Sequence, residues 1–187
     1  LYVVWETDVG GWLTSQMDIV VKSFDGVSWS NRKNLCPGSD DTQDEIPGTY
    51  VWYNPVKKQN ELWVIWGRGN GNPENTGDVN IVVRSFDGLT WSPMKEISYP
   101  DVRIQNMGQV FIGYEDRLYA IWIDGTEAVI VDQSPTLIVY KIYGNIDIRS
   151  YDGYEWSAIK QLTPEGITNK ASDPYIAVYN GKLYATW

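Results

Sequence analysis

The stretch Ile19-Val-Val-Lys-Ser-Phe-Asp-Gly-Val-Ser-Trp-Ser30 decides the fold, because the chain repeats it. It returns without gaps as Ile81-Val-Val-Arg-Ser-Phe-Asp-Gly-Leu-Thr-Trp-Ser92 and as Ile146-Asp-Ile-Arg-Ser-Tyr-Asp-Gly-Tyr-Glu-Trp-Ser157. Ser23, Ser85 and Ser150 stand 62 and 65 residues apart. Each copy opens with an apolar run of strand character. Asp25-Gly26, Asp87-Gly88 and Asp152-Gly153 then turn the chain, since Gly accepts the positive φ of such a turn. A strand carrying Trp29, Trp91 or Trp156 follows. Self-similarity at a fixed period marks a repeat architecture.

Two further motifs recur out of phase with the first. One reads Leu1-Tyr-Val-Val-Trp5, Leu62-Trp-Val-Ile-Trp66, Leu118-Tyr-Ala-Ile-Trp122 and Leu183-Tyr-Ala-Thr-Trp187. It is apolar at nearly every position, which predicts burial on both faces. The other, just before it, ends at Tyr53, Tyr114 or Tyr179. Asn180-Gly181 between two such segments is a hairpin signal. Each repeat therefore reads as four antiparallel strands. Burial of both faces of the inner strands predicts all-β propeller blades stacked sideways, not a sandwich with one dry face per sheet. Blade boundaries fall near 1–46, 47–106, 107–172 and 173–187. The chain begins and ends in mid-blade, so about three blades are present. The expectation is part of a roughly six-bladed propeller, or an assembly. Residues 127–143 add an inserted hairpin or strand extension with Pro135 near its tip.

Composition removes whole classes of chemistry. The 187 residues contain no His, so no His triad, imidazole base or His zinc site can form. Cys36 is the one cysteine, which excludes an internal disulfide. The net charge of −9 opposes phosphate binding, so nucleic acid is not an expected partner. No apolar run approaches the ~20 residues of a membrane span. No leader is visible, and the chain opens at Leu1 without Met, as expected of a mature product or a piece of a longer protein.

The Ser-Phe-Asp-Gly-Val-Ser-Trp run resembles the Asp-box, or bacterial neuraminidase repeat, whose pattern is Ser-x-Asp-x-Gly-x-Thr-Trp on a hairpin of sialidase-like propellers. The matching residues are Ser23, Asp25, Gly26 and Trp29, then Ser85, Asp87, Gly88 and Trp91, then Ser150, Asp152, Gly153 and Trp156. Here Asp and Gly are adjacent, which tightens the turn. The pattern is also similar to repeats of secreted prokaryotic propellers in which Asp-Pro opens a blade, as Asp173-Pro174 does. The resemblance implies a structural role for these residues. Ser and Asp side chains can accept turn N–H groups, and Trp can wedge against the sheet.

Topology puts the strand 1–2 and 3–4 turns on one end of each unit and the longer connections on the other. Long connections on a rigid scaffold are where binding concentrates, so a ligand is expected on the end opposite the Asp-Gly turns. Trp12, beside Gly10-Gly11, is a candidate for stacking on a sugar face. Arg68, Asn70, Arg103 and Asp124 are further candidate ligand-binding residues. In the acidic run 39–45, Asp40, Asp41 and Asp44 are the candidate ligands for calcium, a cation that favours clustered carboxylates.

Three functions compete. The first is a non-enzymatic secreted or cell-surface module whose long-loop face binds carbohydrate or protein, with no catalytic residues and no required cofactor. The second is a sialidase-like glycoside hydrolase completed by further blades or a second chain. For this reading, Arg117 sits by a short turn on the wrong end, Arg84 and Arg149 belong to the repeat, and Asp101, Asp124, Glu127 and Asp173 are the carboxylates to consider. The third is a self-assembling module that pairs through open blade edges.

Overall fold

The structure, a computed structural model, describes residues 1–8, 17–36, 44–69, 79–99, 104–134, 137–164 and 171–187. Of these, the side chains of 104–109, 126–134 and 137–142 are not described. The fold is all-β, with no helix among the described residues. Accordingly no helix among the described residues is long and apolar enough to cross a membrane.

The described residues form thirteen strands in chain order. They are β1 (Tyr2–Asp8), β2 (Met17–Ser23), β3 (Lys33–Asn34), β4 (Asp44–Asn54), β5 (Gln59–Gly69), β6 (Val79–Phe86), β7 (Lys95–Glu96), β8 (Ile104–Tyr114), β9 (Arg117–Ser134), β10 (Leu137–Tyr151), β11 (Lys160–Gln161), β12 (Tyr175–Tyr179) and β13 (Lys182–Thr186). Sequential antiparallel pairing groups them into a three-stranded set β1–β3, two four-stranded sets β4–β7 and β8–β11, and the pair β12–β13. The four-stranded sets share one sheet path only through a single parallel residue pair, Val79 with Ile104.

The short outer strands differ from the sequence expectation. Trp29, Trp91 and Trp156 do not lie in them. Each makes one isolated bridge back to Phe24, Phe86 or Tyr151, and the outer strand forms a few residues later. The stretch 127–143 does lengthen a hairpin. β9 and β10 run paired out to Ser134 and Leu137. Register also revises the repeat. Trp52 pairs with Glu61 as Tyr114 pairs with Arg117 and Tyr179 with Lys182, so Trp52, and not Tyr53, holds the recurring place.

Alternation on the middle strands explains the double burial. Leu62, Val64 and Trp66 of β5 pack on Ile19, Val21 and Leu35 of the first set. Trp63 and Ile65, on the other face of the same strand, pack with Leu118, Ala120 and Trp122 of β9. Ile121 and Ile123 then turn to Ile176 and the β12–β13 pair. Successive sets therefore stack face to face, and each interior strand contributes to two cores. Full burial of one aliphatic side chain is worth about 1.5–3 kcal/mol. A polar residue at Val64 or Ile121, both 0% exposed, would disrupt one whole interface.

A repeated basic residue ties each set to the one before. Arg84 donates through Nε to the Ser92 carbonyl (2.8 Å) and through Nη1 to the Leu35 carbonyl of the preceding set (2.9 Å). Arg149 does the same to Ser157 (2.6 Å) and Ile97 (2.8 Å). Two bonds from one planar guanidinium fix the spacing between sets.

Candidate functional site

Each Asp-Gly hairpin is held by its own aspartate. Asp25 Oδ1 accepts the Val27 and Ser28 amides at 2.8 Å each. Asp87 accepts from Leu89 and Thr90 (2.8 and 2.7 Å), and Asp152 from Tyr154 and Glu155 (2.9 and 3.0 Å). These amides, led by Ser28, Thr90 and Glu155, hold the three carboxyls below the usual aspartate range. Gly26, Gly88 and Gly153 follow with φ near +100°. Each aspartate thus serves as a turn acceptor through Oδ1.

The serine role falls elsewhere than expected. The accepting hydroxyls belong to Ser30, Ser92 and Ser157, which take the backbone N–H of Ser23, Ser85 and Ser150 at 2.9–3.0 Å. To these turns Ser23 and its equivalents contribute backbone, while the Ser150 hydroxyl accepts from Arg117. The recurrence of a terminal Ser after each Trp was the signal for this. Among the Trp residues, Trp156 is buried against Trp63 and Phe111, Trp91 is half-buried on Phe86, and Trp29 is exposed.

The strand 1–2 and 3–4 turns do meet at one end. The Gly153 turn lies against Asn54 and Val56 of the β4–β5 turn. Tyr114 donates its hydroxyl to the Gly181 carbonyl, across to the β12–β13 turn (2.8 Å). At this end two grooves open between successive hairpins, one of about 450 Å³ and one of about 380 Å³. They are the same place in successive sets. Tyr2, Phe86, Leu89 and Trp91 in the first correspond to Trp63, Tyr151, Tyr154 and Trp156 in the second. Lys33 and Lys95 are likewise equivalent.

The second groove is the more aromatic. Its floor is Trp63, Tyr151 and Trp156, which lie with ring centroids 5.0–5.8 Å apart. Tyr154 is 77% exposed at its mouth. Lys57 stands at its edge, paired with the buried Glu61 at 2.7 Å, which raises the Lys57 ammonium above its ordinary range. Glu61 also accepts from Trp63 Nε1 and Asn54 Nδ2, both 3.2 Å, so one carboxylate orients both a wall and a cation. Burial pushes the Tyr151 phenol up. Neither groove is lined by a carboxylate among the described residues.

The expected ligand residues fare differently. Arg68 and Asp124 share a register position, two residues beyond Trp66 and Trp122, at the end away from the Asp-Gly turns. Arg68 is half-buried and directs Nη1 to Met94 Sδ at 2.9 Å. Asp124 is 2% exposed, so it belongs to the interior and is not displayed on a rim. Trp12, Asn70, Arg103, Asp40 and Asp41 lie outside the described residues. Asp44 is buried and accepts from Trp66 Nε1 at 2.6 Å.

Asp44 converges with Asp18 and Cys36, and one ligand atom from each lies within 4.8 Å of the others. Asn34 Nδ2 donates to Asp18, and Asn34 Oδ1 accepts the Cys36 amide. Burial, then the Asp44 carboxylate, push the Cys36 thiol up, so it stays protonated. Its sulfur accepts the Ile19 amide (3.4 Å), just as Ser98 and Thr163 hydroxyls accept from Ile81 and Ile146 (3.0 and 3.3 Å). Cys36 therefore fills a recurring acceptor position. The run Lys-x-Leu/Ile-Cys/Ser/Thr at 33–36, 95–98 and 160–163 announced it. Arg117, for its part, donates to Ser150 Oγ at 3.3 Å.

Comparison with protein-family models and with curated proteins finds no match to this chain.

Proposed function

We propose that the chain is a non-enzymatic binding module of β-propeller type, each four-stranded set a blade, that takes carbohydrate in the grooves between successive Asp-Gly hairpins. The observation that carries this reading is the second groove. It offers an exposed tyrosine, Tyr154, at the mouth and lysines at the edge, backed by the buried rings of Trp63, Tyr151 and Trp156. Aromatic faces suit the apolar faces of sugar rings, and a cation at the edge suits hydroxyl or acidic substituents. Most glycoside hydrolysis uses two carboxyl groups about 5–9.5 Å apart, sialidases with their tyrosine nucleophile being an exception, and no carboxylate lines either groove among the described residues. That favours binding over cleavage. The Asp-box likeness of the hairpins and the double burial of each middle strand support the propeller reading. A secreted or cell-surface setting accords with it. The recurrence of the groove favours weak sites acting together on a repetitive polymer.

The test is a glycan array followed by calorimetry on the best ligand. Tyr154→Ala is expected to weaken binding about tenfold, equivalent to about 1.4 kcal/mol, and Trp12→Ala, at the stacking candidate of the long connections, to leave it unchanged. The reverse result would move the site to the long-loop end. Cleavage of any glycan by the chain would overturn the non-enzymatic assignment.

A further inference from the structure

One lysine recurs at one register position in all three short outer strands. Lys33 of β3 pairs with Val21, Lys95 of β7 with Val83 and Lys160 of β11 with Ile148. They stand 62 and 65 residues apart, the spacing of Ser23, Ser85 and Ser150. All three are exposed, and none has an ion-pair partner among the described residues. The residue after each is Asn34, Glu96 or Gln161, so it is the lysine that repeats and not the charge of the strand. Lys33 lines the first groove and Lys95 the second.

The grooves are cationic in an acidic chain. Net charge is −9, yet no carboxylate lines either groove among the described residues. Gly88 and Leu89 line the first groove, but the carboxylate of Asp87 beside them is held in its own turn, by the Leu89 and Thr90 amides and the Thr90 hydroxyl at 3.1 Å. In the second groove the two lysines differ. Lys57 is compensated by the buried Glu61 at 2.7 Å, and Asp87 adds to the same pull. Lys95 is the cation of that groove with no described carboxylate paired to it. A neutral sugar gains little from such an ammonium, whereas a carboxylate or sulfate forms a charge-assisted hydrogen bond with it. A chain of net negative charge repels a polyanion at long range, so selectivity for one has to come from cations placed locally.

We infer that the glycan taken by the grooves is anionic, with a carboxylate or sulfate on its repeating unit, and that Lys33 and Lys95 are the specificity-determining residues that read this charge. The inference rests on the grooves being the binding site. Because the second groove repeats the first, one polymer can set successive charged units in both. Lysines on edge strands also discourage pairing with other sheets. That role is indifferent to ligand, and the experiment separates the two.

The probes are two matched pairs, polygalacturonate with its methyl ester and dextran sulfate with dextran. Within each pair the backbone is kept and only the anion is removed. Calorimetry on the whole chain at low salt is expected to show the anionic member of at least one pair binding about tenfold more tightly than its neutral partner, with affinity falling as salt is raised. The pair that responds distinguishes carboxylate from sulfate. Lys95→Gln is expected to weaken anionic binding about fivefold, the upper range for one exposed ion pair. Lys33→Gln should act by a similar factor, and Lys95→Arg should retain binding. Lys182→Gln removes the same charge from an exposed position outside both grooves and is expected to leave binding unchanged. Neutral members that bind as tightly, failure of both anionic polymers to bind, or a loss in Lys182→Gln equal to that in Lys95→Gln would each overturn the inference. If Tyr154→Ala weakens binding and the lysine variants do not, the inference falls and the groove reading stands. If Tyr154→Ala and the lysine variants all leave binding unchanged, the groove reading falls with it.

Discussion

The sharpest test of the packing comes from two tryptophans in equivalent places. Trp66 and Trp122 close the Leu-x-x-x-Trp segments of β5 and β9, and both are 0% exposed. Trp66 donates its indole N–H to the buried Asp44 at 2.6 Å. Trp122 has no hydrogen-bond partner for its indole N–H among the described residues. Replacing either by Phe removes about 40 Å³ of side chain, which at about 24 cal/mol per Å³ costs about 1 kcal/mol. Among the described residues, only Trp66→Phe also strips a donor from a buried carboxylate, a loss of about 1.5–3 kcal/mol for a hydrogen bond to a charged group. The expected totals are about 2.5–4 kcal/mol for Trp66→Phe and about 1 kcal/mol for Trp122→Phe. At roughly 2–4 °C per kcal/mol for a chain of this size, Tm falls by roughly 5–15 °C in the first case and 2–4 °C in the second. Thermal and urea unfolding followed by far-ultraviolet circular dichroism reads both. Equal losses would refute the claim that Asp44 distinguishes the two sites.

Two further outcomes follow from the hairpins. A Cβ on Gly153 would sit 2.7 Å from Val56 Cγ2, whereas one on Gly26 meets nothing within 4 Å, although both residues have φ near +105°. Both alanine variants carry backbone strain of about 1–3 kcal/mol, and Gly153→Ala is expected to lose a further ~1–2 kcal/mol from overpacking, read as a larger drop in the urea midpoint. The second outcome concerns acid. Because the folded-state pKa values of Asp25, Asp87 and Asp152 are depressed, their stabilisation is complete above the unfolded aspartate value of about 3.9 and is lost as pH falls through the lower folded values. Glu96, raised by burial, works in the opposite sense and softens the slope. Urea midpoints between pH 6 and 2.5 should fall at the acid end, and the triple Asp→Asn variant should fall less. Parallel profiles would show that the carboxylates do not titrate with folding.

The repeat made most of the strand order legible, since period and turn chemistry are local properties. Thirteen strands in sets of three, four, four and two are what the motif order predicts, and they are what the described residues form. The outer strand was misplaced because a Trp that bridges its own hairpin has the same composition as a Trp in a strand. Tyr53 was read into the wrong register because the β4–β5 turn is longer than its counterparts. Asp124 looked like a rim ligand because sequence shows a carboxylate near a strand end but not which neighbours cover it.

The candidate groove was not legible at all. Trp156 reads as hairpin packing, and no local pattern joins Trp63, Tyr151, Tyr154 and Lys57 to it. Their meeting requires a hairpin of one set to lie over the strands of the set before, a long-range relation no local pattern contains. Sequence alone therefore determined the all-β repeat, the Asp-Gly turns and the double burial of the middle strands, because all three follow from residue order and hydrophobic period. Tertiary structure decided which serines accept the turn amides, where Arg84 and Arg149 reach, and that the aromatic clefts open beside the hairpins. The physical reason is that these depend on the offset between stacked sets, which is set by side-chain packing across the interface and not by either set alone.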